Sequence, residues 1–277
     1  MNNNKERATE VIKILFSRYY RQRRSGYKKP EPDSLEYKEI YDKILKSIEA
    51  GKKINLVLGY GHHKNINVCG TVEPDSAEIL SLNFLTELAK KIQSVYSVGA
   101  EITLVTTGAR AEFANGSELD DIAKYHELMT KLIESDKDFS KIFRLTMLCD
   151  IWKKYENFYP TVDKKINIIQ KEGIDPEKLN DLIKRAKRNA KGFISNEEAL
   201  KSVIRFQATF RAENELEVWS ESFPNSIMCS YRINHFIGSY VLLNTVKKGS
   251  IVQPWEGFCG NGDEIRTKIC FVRTLSI

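Results

Sequence analysis

"INLVLGYGHHKNINVCG", Ile54 to Gly70, is the stretch on which the fold turns. Its opening five residues, Ile54–Leu58, are apolar apart from Asn55 and stop at a glycine. That is too short for a helix and reads as a strand buried in a sheet. The run breaks on Gly59 and Gly61, then presents His62, His63 and Lys64 before closing on Cys69 and Gly70.

Two further strands follow at crossover spacing. "EITLVTTG", Glu101 to Gly108, is a second buried run, and "FRLTMLCDIW", Phe143 to Trp152, reads as a third strand running into a helix. Between them lie helical patterns, "DSAEILSLNFLTELAKKIQSVYSVGA" from Asp75 and "GSELDDIAKYHELMTKLIES" from Gly116. Strand, helix, strand, helix, strand in that order predicts an α/β fold, a Rossmann-like, mostly parallel sheet flanked by helices.

Outside this core, "KERATEVIKILFSRYYRQRR" and "LEYKEIYDKILKSIEAGKK" carry apolar residues at helical spacing, the second stopping at Gly51. The segment from Tyr155 to about Ser195 is polar and helical, and "SNEEALKSVIRFQATFRAENELEVWSESFP" reads as one long helix with a Ser-Asn cap. "SIMCSYRINHF", "SYVLLNTV" and "TKICFVRT" read as short strands, a C-terminal antiparallel β addition. The chain is therefore expected to be a single α/β domain over 1–277. It comprises N-terminal helices in 1–50, the core in 51–160, a helical segment in 161–222 and C-terminal strands in 223–277.

Composition narrows the function classes. The 277 residues are 42% hydrophobic, enough for a sizeable core. No apolar run approaches the roughly 18 residues of a membrane span, and the start lacks a signal-peptide pattern, so the expected compartment is the cytoplasm. The net charge of +6 comes from 43 basic and 37 acidic residues mixed along the chain. A spread charge argues against a nucleic-acid partner and suits a small anionic substrate. Five cysteines, an odd number without CxxC spacing, read as reduced thiols.

In α/β sheets of this kind, ligands bind outside the carboxyl ends of the strands. "GYGHHK" and "TTGAR" both stand there. The first is not a Walker A loop, and Lys64 occupies the third glycine of a GxGxxG pattern. No HExxH or two-His-one-carboxylate spacing accompanies the paired histidines, so no metal is indicated. What remains is an imidazole, His63, able to titrate near neutral pH, beside an ammonium, Lys64, able to hold an anion. Thr106, Thr107 and Arg110 form either a phosphate- or carboxylate-holding turn or an ordinary connection. Alternation places Arg232 and Asn234 on one strand face and His235 on the other. Trp255, in "QPWEG", either packs or stacks on substrate.

In their order, these pieces resemble the pyoverdine/dityrosine biosynthesis family, the isonitrile (isocyanide) synthases. That family has a lysine loop after a strand, here Lys64 with Asn65 or Asn67. A glycine follows, here Gly70, then P-D-x-x-E, here Pro74, Asp75 and Glu78. "VYSVGAEITLVTTG" matches its central helix end and strand, and "LDDIAKYHELM" its next helix. "FRAENELEVWSESFPNSIMCSYRINHF" and "VQPWEGFC" resemble its C-terminal helix, turn, strand and P-W-H-G turn.

The resemblance implies condensation of an amino acid's α-amine with the C2 ketone of ribulose 5-phosphate, without metal or redox cofactor. It implies small-molecule substrates and a downstream oxygenase of the same pathway as partner. Lys64, Arg110 and Arg232 are then the phosphate-holding cations, with Thr106, Thr107 and Asn234 beside them. His63 is the proton-transfer candidate, with Glu78 the second. Asp75 caps its helix or meets substrate, and Trp255 or Tyr60 packs on an aromatic amine. The chain departs from the family at "HHKNIN" for F-K-S-P-N, "TTG" for S-D-G, "RIN" for S-I-H and "PWEG" for P-W-H-G. These departures leave open another amine, an N-formyl or other product, or a non-catalytic binding homologue.

Overall fold

A computed structural model of the chain describes residues 2–17, 30–60, 71–108, 110, 119–190, 194–230 and 240–242. Five strands form its sheet: β1 (Ile54–Gly59), β2 (Ala100–Thr106), β3 (Phe143–Met147), β4 (Ile227–Ser230) and β5 (Tyr240–Leu242). Their order across the sheet is β3-β2-β1-β4-β5, and every neighbouring pair is parallel. β1 is central, with Leu58 level with Leu104 of β2 on one side and Cys229 of β4 on the other.

Alternation sorts the strand residues onto two faces. Ile54, Leu56 and Leu58 of β1, with Ile102, Leu104, Phe143, Ile227 and Cys229, pack into one core. Five helices close that core: α1 (Asn2–Ser17), α2 (Leu35–Glu49), α3 (Ser76–Val95), α4 (Leu119–Ser135) and α5 (Phe139–Ile142). Each turns an apolar stripe inward at helical spacing, as Ile122, Tyr125, Met129 and Ile133 do on α4. Val57, Val105 and Met228 face the other way. They pack under α6 (Leu148–Trp152), α7 (Phe158–Glu172), α9 (Asn196–Glu215) and α10 (Val218–Ser222). There Trp152 stacks on Phe158 with ring centroids 4.4 Å apart. α8 (Pro176–Asn189) adds a satellite core against α9 through Ala186, Ala199 and Val203.

Local signals place the helix ends. Ser34 caps α2, its hydroxyl accepting from the Tyr37 N–H. At the far end Lys52 N–H reaches the Ser47 carbonyl and Gly51 N–H the Ile48 carbonyl, a Schellman closure with Gly51 at φ 62°. Ser195 and Glu198 form a full capping box on α9.

The structure corrects two expectations. β4 and β5 are not an antiparallel addition but extend the sheet in parallel. The reason is topological: the helices between β3 and β4 return the chain to the amino end of the sheet before β4 begins. The third expected strand, "TKICFVRT", lies outside the described residues. The long helix expected from Ser195 to Pro224 is broken. α9 ends at Glu215, Glu217 takes a left-handed conformation (φ 48°), and α10 follows in a new direction. Among the described residues, no helix is long and apolar enough to cross a membrane.

Burial in the central sheet pushes the Cys229 thiol up to about 12. The thiolate is the reactive form, so Cys229 is expected to resist iodoacetamide at pH 8 in the folded protein. It should react fully once the chain is unfolded in denaturant, as peptide mass spectrometry would read.

Candidate active site

Sheet order fixes where a ligand can enter. From β1 the chain winds outward to β2 and β3, then crosses back to place β4 on the other side of β1. The strand order reverses beside β1, between β1 and β4, and in sheets of this kind ligands bind outside the carboxyl ends at that reversal. β1 ends at Gly59 and β4 at Ser230. In sequence, His62, His63 and Lys64 follow the first of these ends, and Arg232 and Asn234 the second. Those five residues and Trp255 lie outside the described residues.

Beside the end of β1, three side chains meet on the α3–α4 face. Glu78 is fully buried in the first turn of α3. Its Oε2 accepts from the Asp75 backbone N–H at 2.8 Å, and its Oε1 accepts from the Tyr125 hydroxyl at 3.1 Å. The first bond is the returning half of a capping box, with Asp75 at the cap. The second ties α3 to α4. Tyr60, the residue after β1, is buried in the same core. Burial, then the nearby Glu78 carboxylate and the Tyr60 hydroxyl, hold the Tyr125 phenol well above its ordinary value.

β2 ends in two buried hydroxyls, Thr106 and Thr107. Thr106 Oγ1 lies 3.3 Å from the Thr146 carbonyl oxygen of β3 and 3.3 Å from Nδ1 of His126 on α4. His126 is half-buried, and burial lowers its basicity against an opposing pull from Asp150.

Arg110, expected to hold an anion, is buried and bound to Glu213 of α9. Its Nε donates to Glu213 Oε1 at 2.9 Å and its Nη2 to Oε2. Trp219 of α10 donates Nε1–H to the same Oε2 at 2.7 Å. The guanidinium carbon sits 4.0 Å from the Phe210 ring centroid and 5.7 Å from the Trp219 ring. A bidentate ion pair between aromatic faces is the geometry in which a buried arginine is best compensated. The indole bond to Glu213 also accounts for the break after α9: the chain turns at Glu217 to bring Trp219 back onto the carboxylate.

The structure thus groups Tyr60, Glu78, Thr106 and Thr107 near the carboxyl ends of β1 and β2, with Arg110 tied to the opposite helical layer. His126, Tyr125, Glu213 and Trp219 join them and were not singled out from the sequence. The Asp75-x-x-Glu78 spacing of a capping box was a readable signal for Glu78's helix-end role. His126 and Glu213 looked like ordinary polar positions of helices. A separate cleft of about 370 Å³, lined by Lys53, Lys90, Asp138 and Lys141 among others, lies at the opposite end of the sheet.

Comparison with known proteins follows this geometry. The family model for "Pyoverdine/dityrosine biosynthesis protein" matches residues 44–221. L-tyrosine isonitrile synthase of Pseudomonas aeruginosa is 33% identical over 132 residues, a stretch covering 46% of this chain and 39% of that protein. The chain thus spans about two fifths of the length of that relative. The crystal structure of the PvcA protein from Pseudomonas aeruginosa superposes with a TM-score of 0.67 at 19% identity. It covers 91% of this chain and 88% of its own, a likeness of fold.

Two outcomes test the buried groups. Glu213→Ala leaves the Arg110 charge uncompensated and should destabilise the protein by about 3–5 kcal/mol, read from denaturant unfolding. The Tyr125 phenol keeps its proton above the ordinary value of 10.0, where the unfolded chain releases its own. Its contribution to stability is complete below that pH and is lost as pH rises beyond it. Tyr125→Phe should flatten this alkaline decline in a series of melts.

Proposed function

Since this chain belongs to the pyoverdine/dityrosine biosynthesis family, we propose that it is an isonitrile synthase joining an amino acid's α-amine to the C2 ketone of ribulose 5-phosphate. The observation carrying this reading is the 33% identity with L-tyrosine isonitrile synthase, beside a family match over 44–221 that takes in β1, β2 and β3. The reversal of strand order beside β1 supports this reading, because the sequence sets Lys64 after β1 and Arg232 after β4.

In this reading Lys64 and Arg232 hold the phosphate. Arg110 assists through Nη1, the guanidinium nitrogen not engaged by Glu213, and Thr107 and Asn234 supply neutral hydrogen bonds, while Thr106 gives its hydroxyl proton to the Thr146 carbonyl. The ketone then lies beside an amine that must lose a proton to attack and shed water to become an imine. The sequence offers His63, after β1, as a candidate for that transfer. Glu78 is placed as a support, since its two oxygens close α3 and hold Tyr125. Trp255 and Tyr60 offer apolar surface to the amine's side chain. The nitrogen ends as the isonitrile and the rest of the sugar skeleton is lost.

A second reading, another amine or a formyl-type product on the same fold, draws on "TTG" standing where relatives carry an acidic residue. One assay separates the two. The protein is incubated with ribulose 5-phosphate and the proteinogenic amino acids, and isonitriles are trapped with a tetrazine for mass spectrometry. A trapped adduct is expected and names the amine. Phosphosugar consumption without an adduct would favour the second reading, and neither would overturn both. In the active protein, Lys64→Ala should raise KM for the phosphosugar roughly 10- to 100-fold, the loss of one charged hydrogen bond.

A further inference from the structure

We propose that His126, beside the carboxyl end of β2, is the proton-transfer residue of the reaction, an imidazole held in its Nδ1–H form by the Thr106 hydroxyl so that Nε2 is the basic nitrogen. The proposal rests on the isonitrile synthase reading and would place on α4 the role that the sequence suggested for His63.

The geometry is a three-membered chain. The Thr146 carbonyl oxygen, Thr106 Oγ1 and His126 Nδ1 are spaced at 3.3 Å and 3.3 Å. A carbonyl only accepts, and a threonine hydroxyl has one proton to give. Given to Thr146, that proton leaves Oγ1 facing Nδ1 with a lone pair, so Nδ1 must carry a hydrogen. The reverse order sets two oxygen lone pairs against each other at the buried end of β2. In a neutral imidazole with Nδ1 protonated, Nε2 is the acceptor. Thr106 is buried while His126 is half-buried, so the tautomer is fixed from the dry side of the ring.

The surroundings suit a reversible base. Burial favours the neutral ring, and Asp150 of α6 opposes it moderately. Asp150 is itself bridged to Lys153 at 2.9 Å and meets the Cys149 thiol at 3.9 Å. The neighbouring residue on α4, Tyr125, is locked to Glu78, which anchors the helix turn that carries the imidazole.

The chemistry balances. Nε2 takes a proton from the substrate ammonium, and the freed amine forms its C–N bond to C2 as the carbonyl oxygen takes that proton. Nε2 then removes one of the two protons left on nitrogen and delivers it to the carbinolamine hydroxyl. The C–O bond breaks, water leaves, and the protonated imine remains with Nε2 free again.

The test uses the full chain with ribulose 5-phosphate and the amine identified by trapping. His126→Gln is expected to lose at least about 100-fold in kcat. It should keep its melting temperature and its stabilisation by ribulose 5-phosphate, and lose the acidic limb of the kcat/KM profile. Nitrogen-15 NMR of the wild-type imidazoles, which needs no variant to fold, should show His126 as the Nδ1–H tautomer, and Thr106→Val should mix the tautomers. An Nε2–H tautomer in the wild type, or a His126→Gln protein with wild-type turnover and pH profile, overturns the assignment while the functional reading stands. A wild type that forms no isonitrile overturns that reading and this proposal together.

Discussion

The parallel ladders on both edges of β1 are the constraint from which the rest follows. With β2 along Ile54–Gly59 on one side and β4 along Leu56–Leu58 on the other, both edges of this strand are paired inside the sheet. A parallel sheet cannot leave a face to water when its strands read Ile-x-Leu-Val-Leu, so both faces need helices. The winding that supplies them must reverse once, and it reverses at β1. The reversal of strand order is a by-product of covering the sheet, and its position next to β1 is settled by the winding alone.

Near the carboxyl ends of β1 and β2 the protein buries charge, and each instance is compensated by geometry. Glu78 is satisfied by a backbone N–H and a phenol. Arg110 is satisfied by both oxygens of Glu213 and flanked by two aromatic rings. These two assemblies lie on opposite faces of the sheet and hold different helices: the first joins α3 to α4, the second joins the end of β2 to α9 and α10. The strand ends are thereby clamped from both layers, which suits a site whose reacting groups must be held within fractions of an ångström.

Much of this was legible in the residues, for reasons that differ by element. β1 and the end of β2 announced themselves because a doubly covered strand is apolar and short, whereas β3, FRLTM at the sheet edge, was legible from its place at crossover spacing. Helix ends were readable where capping chemistry is local, at Ser34, Gly51 and Ser195. The parallel course of β4 was not readable, since direction depends on where the intervening helices deliver the chain and not on strand composition. Neither was the break after Glu215, because the partner of Trp219 is a carboxylate one and a half turns back whose ion pair reaches across about a hundred residues of sequence to Arg110. His126 was hidden for the same reason: its meaning comes from Thr106, twenty positions earlier on another element.

The first helices have a consequence for where the folding unit begins. Ala8, Val11, Ile12, Leu15 and Phe16 of α1 belong to the same core as Leu56 and Ile227, and α2 brings Ile40, Ile44 and Ile48 to it. The region matched by the family model, 44–221, contains neither α1 nor most of α2, and it stops before β4 and β5. Cut to those limits, the chain would keep β1 as an edge, with one flank unpaired and one face stripped of part of its cover. The stretch that the family model matches is therefore shorter than the stretch over which this core is built.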